Sequence, residues 1–301
     1  MTDTIHFADQ IIERVRELAH PLCVGLDPHL DQIPESFRRG SMANADPETA
    51  EAVQAFFEEV VDRLEKRVAV VKPQIALFDR LCWRGLRALE AIVERCRARG
   101  LMVVLDGKRG DIGSTAEGYA EAYLSEAAPV SVDALTVQPY LGRDSLQPFF
   151  DRCESNGRGI FVLVKTSNPG SGDLQDLALA SGPVFGAVAA MLADACDGLR
   201  GSSTGWSSLG VVVGAADPAE SEMIREVLPK ALFLVPGFGV QGTTAAESVQ
   251  SFLPGPAGLE GGIVNSSRAI LFPGEHGGGW DGGFEAALSE AIDRLGEAVA
   301  G

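Results

Sequence analysis

Short apolar runs rich in β-branched side chains alternate along this chain with longer amphipathic stretches. The runs at 22–26 (LCVGL), 68–72 (VAVVK), 101–105 (LMVVL), 132–137 (VDALTV), 160–165 (IFVLVK), 209–213 (LGVVV), 231–235 (ALFLV) and 261–264 (GGIV) read as eight strands. Most lack the polar alternation of a half-solvated sheet, which is the pattern of parallel strands covered on both faces. Between them the spacing turns helical. Across 50–64, Val53, Phe56, Phe57, Val60, Val61 and Leu64 fall on one face, and Leu89, Ile92 and Val93 repeat the pattern across 86–96. A last helix is predicted over 283–299, with Ala287, Ile292 and Leu295 facing the core.

Several helix starts are marked. Asp46-Pro47 and Asp217-Pro218 pair an N-cap with proline at the first helical position. Asp217 with Glu220, and Ser114 with Glu117, have capping-box spacing. Eight strands alternating with helices predict an α/β fold, a (β/α)8 TIM barrel; an open doubly wound sheet is the alternative. No low-complexity linker divides the chain, so residues 1–301 are expected to form one domain, with an N-terminal helix and a C-terminal helix closing the barrel. The glycine-rich piece 273–283 reads as a surface loop.

Composition narrows the partners. The chain has 301 residues and a formal net charge of −17, which disfavours nonspecific contact with nucleic acid or an anionic membrane. No membrane-spanning apolar stretch or signal-peptide pattern occurs. The five cysteines are scattered and form no CxxC pair, as expected of a reducing cytoplasm. The four histidines have no metal-ligand spacing, so no metal or other cofactor is expected.

The chemistry gathers where strands end, since the carboxyl ends of barrel strands build the active site. The predicted ends supply Asp27, Lys72, then Asp106 and Lys108 with Asp111 just beyond, Lys165-Thr166-Ser167-Asn168, the loop 236–242 (PGFGVQG), and Asn265-Ser266-Ser267-Arg268. The last two make the usual phosphate site of this fold: a glycine-rich turn after strand seven and an arginine after strand eight. Arg268 offers a fork of N–H donors and Gln241 an amide; the plainer reading is a surface ion pair and a tight turn. Lys72, Asp106, Lys108 and Asp111 can alternate in charge. Flanking carboxylates keep the lysines protonated, so one can serve as an acid. The competing reading is a structural salt-bridge network. Lys165 could form a Schiff base, but a lysine paired with a carboxylate at the barrel mouth is favoured.

The stretch Asp106-Gly-Lys108-Arg-Gly-Asp111-Ile112-Gly-Ser-Thr115 resembles the DxKxxDI-x-x-T signature of orotidine 5′-monophosphate decarboxylases. Lys72, Asp27 in Val-Gly-Leu-Asp-Pro, the Pro-Gly-Phe-Gly-Val-Gln-Gly loop and Asn-Ser-Ser-Arg-Ala-Ile match in order, over about residues 20–272. Val-Lys-Pro-Gln and Val-Lys-Thr-Ser-Asn-Pro-Gly resemble the longer bacterial subgroup. Gly107 and Gly113 depart from relatives that carry larger residues there. The resemblance implies cofactor-free conversion of orotidine 5′-monophosphate to UMP, the last step of pyrimidine nucleotide synthesis, in a homodimer with shared sites. It implies that Lys108 protonates C6, Asp106 faces the substrate carboxylate, and Lys72 holds Asp106 and the ribose hydroxyls. Asp27 is implied on a ribose hydroxyl, Ser167 on the pyrimidine amide edge, and Gln241 and Arg268 on phosphate. Asp111 and Thr115 are implied to reach the neighbouring subunit's site, with Asp111 on ribose and Ile112 lining the pocket. Two other readings stand beside it: a magnesium-dependent sugar-phosphate decarboxylase or aldolase of the same superfamily, and a phosphate-binding protein without catalysis.

Overall fold

A computed structural model describes residues 6–215, 217–239, 243–274 and 279–301. Eight parallel strands close into a barrel: β1 (Leu22–Leu26), β2 (Val70–Pro73), β3 (Met102–Arg109), β4 (Ala134–Val137), β5 (Gly159–Lys165), β6 (Ser207–Val213), β7 (Ala231–Val235) and β8 (Gly262–Ser266). Each pairs with its neighbours in chain order, and β8 pairs with β1. This is the (β/α)8 architecture the alternation predicts. Two two-stranded hairpins, Ala178–Leu179 with Gly182–Pro183 and Leu253–Gly255 with Gly258–Glu260, lie outside the barrel.

Side chains alternate along each strand between interior and helix layer. Cys23, Val70, Met102, Val104, Ala134, Phe161, Val212, Leu232, Leu234 and Ile263 fill the interior, while Leu22, Val71, Val103, Leu135, Val162, Val211 and Phe233 face the surrounding helices. Phe161 fills space that Gly210 leaves: a Cβ on Gly210 would lie 2.5 Å from the Phe161 ring. The helix Phe7–Leu18 packs Phe7, Ile11, Ile12 and Val15 against this interior core. It is fastened at the amino ends of the strands. Asp9 accepts from the Thr204 N–H at 2.8 Å and the Ser203 N–H at 3.2 Å, and Arg16 pairs with Glu260 at 2.7 Å. The opposite, carboxyl end is therefore the open one.

Several local expectations need correcting. Strand β3 does not stop before the charges; it continues through Asp106 and Lys108 to Arg109. The last strand likewise includes Asn265 and Ser266. Asp46 caps the helix Pro47–Leu64 by accepting from the Glu48 N–H at 3.0 Å, as its sequence suggests. Asp217 caps Pro218–Val227 through the Ala219 N–H at 2.9 Å, but Glu220 forms no capping box, because its carboxylate pairs with Lys165. Ser114 caps nothing: the helix Gly113–Leu124 already starts at Gly113, which places Ser114 inside its first turn. The last helix, Gly279–Ala300, starts earlier than predicted. Phe284, Leu288, Ala291, Leu295 and Val299 carry its core face, with Ala287 and Ile292 at the half-buried margin. Of the predicted loop 273–283, residues 275–278 lie outside the described residues. No described helix is long and apolar enough to cross a membrane.

Candidate active site

Strand parity decides what faces the open end. Lys72, Asp106, Lys108, Leu163, Val212, Leu234 and Asn265 occupy inward positions and line a cavity of about 230 Å³ at the carboxyl ends of the strands, together with Thr166, Ser167, Asn168 and Pro236. Asp106 is the hub. Its Oδ2 accepts from Lys72 Nζ at 2.8 Å, and its Oδ1 accepts from Lys108 Nζ at 2.6 Å and from the Thr136 hydroxyl at 2.9 Å. Lys72 and Asp106 are buried, whereas the Lys108 side chain is 46% exposed and reaches the cavity.

Burial alone would raise the Asp106 pKa, but the two ammonium groups outweigh it and hold the carboxyl well below the usual range. Burial likewise works against charge on Lys72. The Asp106 and Asp27 carboxylates overcome it and keep the ammonium above its ordinary pKa. Lys72 and Asp106 are thus both charged in a nearly dry wall. Beneath them lies Cys23, whose thiol donates to Asn265 Oδ1 at 3.6 Å and which burial pushes up to about 12. It is a core thiol, not a nucleophile.

The backbone around Lys108 is irregular. Leu105 is opposite Leu135 and Arg109 opposite Val137, so three β3 residues bulge across Thr136 alone. Lys108 sits at φ 45°, in the left-handed region. Such conformations are costly for a residue with a Cβ and concentrate at functional sites. Gly113, one of the two departures from the family pattern, also has positive φ, 53°, at the turn into its helix.

Asp27 is half-buried beyond β1, and its Oδ1 has no hydrogen-bond partner among the described residues. Arg268 is exposed at the start of the short helix Arg268–Leu271, with no ion pair among the described residues. Gly237 and Gly239, at φ 95° and 93°, form the turn after β7; Gln241 lies outside the described residues. Asp111, Ile112 and Thr115 do not line the cavity of their own chain. Asp111 Oδ1 accepts from the Ile112 N–H at 2.8 Å, while Ile112 and Thr115 are exposed. Lys165 is not in the cavity either. A register shift between Leu163 and Lys165 turns its ammonium to Glu220, at 3.0 Å, and to Asp176, over the Phe185 ring.

Comparison with known proteins places this geometry. Residues 20–276 match the orotidine 5′-phosphate decarboxylase / HUMPS family. The chain belongs to this family. The orotidine 5′-phosphate decarboxylase of Rhodopirellula baltica is 42% identical over 88% of each chain, and that of Halorubrum lacusprofundi is 42% identical over 89% of this chain and 88% of the relative. The solved Leishmania donovani OMP decarboxylase superposes with a TM-score of 0.74 at 30% identity, covering 98% of this chain and all of the other.

Within that family frame, Thr136 is a polar contributor that motif reading passed over. It was visible as a polar residue at an inward position near the carboxyl end of an otherwise apolar run. Reading strand ends rather than strand parity hid it.

Proposed function

We infer that the chain decarboxylates orotidine 5′-monophosphate to UMP, as its named relatives do, and that the Lys72–Asp106–Lys108 chain of charges performs the step. The observation that carries this reading is the position of Lys108: an ammonium bonded to a buried, ionised carboxylate and opening onto the cavity.

Loss of carbon dioxide from C6 leaves an electron pair in the plane of the pyrimidine, outside its π system. A fixed ammonium beside C6 stabilises that pair electrostatically and then donates its proton to it. Asp106 holds the Lys108 ammonium in place, and Lys72 holds Asp106 ionised. Leu163, Val212, Leu234 and Pro236 supply apolar wall, which strengthens each electrostatic contact by excluding water. The barrier reduction required is on the order of 20 kcal/mol, more than one lysine supplies. Binding of the ribose and phosphate must hold the ring in position. The cavity of about 230 Å³ suits the reacting ring. The rest of the nucleotide then extends over the rim, with Ser167 at the pyrimidine amide edge and Asp27 at a ribose hydroxyl. Arg268, the glycine turn and Gln241 take the phosphate.

The active species in this reading is a homodimer. Asp111, Ile112 and Thr115 stand outside their own cavity, and we assign them to the neighbour's site, with Asp111 on ribose. The whole chain acts as one barrel domain. We place it in the cytoplasm, a reading supported by five unpaired cysteines, four of them buried.

The competing magnesium-dependent reading is tested by following the absorbance loss of orotidine 5′-monophosphate with and without excess EDTA. Turnover unchanged by EDTA is the expected result. Loss of turnover with EDTA, restored by magnesium, would favour the sugar-phosphate type of chemistry.

A further inference from the structure

We propose that Thr136 is a positioning residue for the proton-donating lysine, acting on both its backbone and its carboxylate partner. This rests on the assignment of Asp106 and Lys108 as the reacting pair.

Thr136 is 1% exposed and occupies the single β4 position opposite the 106–108 bulge. Its Oγ1 makes two contacts in the hub. It accepts from the Lys108 backbone N–H at 2.9 Å and lies 2.9 Å from Asp106 Oδ1. The direction of both bonds is fixed by chemistry. A backbone N–H only donates and an ionised carboxylate only accepts, so the hydroxyl proton points at Asp106. One side chain therefore orients the carboxylate and pins the Lys108 backbone in its left-handed conformation.

The consequence appears during turnover. When Lys108 gives its proton to the pyrimidine, its amine is neutral and its bond to Asp106 Oδ1 weakens, because the donor has lost its charge. The Thr136 bond to the same oxygen does not depend on that proton. It keeps Asp106 from rotating while Lys108 is neutral, and the Lys108 Cα stays where reprotonation finds it. Valine is nearly isosteric with threonine but lacks the hydroxyl, so Thr136→Val removes both bonds while retaining the bulk. Serine keeps the hydroxyl.

Steady-state turnover, KM and UMP affinity of Thr136→Val and Thr136→Ser test this. Thr136→Val is expected to lose about 10- to 100-fold in kcat, with KM and UMP affinity within about 3-fold of wild type. Thr136→Ser should recover most of the loss. A purely structural role would lower the thermal midpoint and leave kcat of the folded enzyme alone. Wild-type kcat in folded Thr136→Val, or a Thr136→Ser as slow as the valine variant, would overturn the proposal. If Thr136→Val does not fold, Thr136→Ala carries the same comparison. Failure of the underlying assignment is separable, since it would show as turnover retained in Lys108→Ala.

Discussion

Three donors converge on the Asp106 carboxylate, and the two ammonium groups among them keep it ionised against its burial. Asp106 and Lys72 both keep their charges through neutral pH, so neither sets a break in activity there. The linkage has a definite sign. A carboxyl whose folded pKa is depressed contributes stability that is complete above its unfolded value, about 3.9, and declines as pH falls below it. Replacing Asp106 by Asn leaves a buried Lys72 without its counter-charge, a loss of about 3–5 kcal/mol near neutrality. The gap in urea-unfolding free energy between wild type and Asp106→Asn should therefore narrow on acidification, by about 1 kcal/mol between pH 5 and pH 3. A gap independent of pH would mean that the carboxyl is not held ionised by its neighbours.

At the scale of the strand, alternation explains both the core and the site. Inward positions near the amino ends hold Cys23, Val70, Met102 and Phe161, while those near the carboxyl ends hold Lys72, Asp106, Thr136 and Asn265. Phe161 requires Gly210 opposite it. Gly210→Ala would also bring its Cβ to 2.8 Å from the Leu232 carbonyl, so neither neighbour gives way cheaply. Denaturant unfolding should show a loss of about 1–3 kcal/mol, and an unchanged midpoint would contradict this packing. All eight strands were legible because apolar β-branched runs carry their own signal, and the site charges because they follow those runs. The 106–108 bulge was not legible. It depends on how β3 pairs with β4, a long-range register that no local pattern encodes. The Ser114–Glu117 and Asp217–Glu220 spacings misled for a related reason. Gly113 starts its helix at positive φ, and Glu220 answers to Lys165, a partner distant in sequence.

For the molecule as a whole, the barrel divides its ends between stability and chemistry. The Phe7–Leu18 helix closes one end, and the cavity opens at the other. The Asp111–Thr115 segment beside that opening links the reaction to assembly in the proposed dimer. Mixing inactive Asp111→Ala and Lys72→Ala proteins tests the link. Hybrid dimers with one site free of both substitutions should regain activity; verified hybrids without any would count against shared sites. Whether Lys108 is the group that stabilises and protonates C6 is decided by Lys108→Ala, with orotidine 5′-monophosphate turnover and UMP binding measured on one preparation. The expected result is a fall in kcat of at least about 10³-fold with UMP affinity kept within about 10-fold. Turnover within an order of magnitude of wild type would contradict that role.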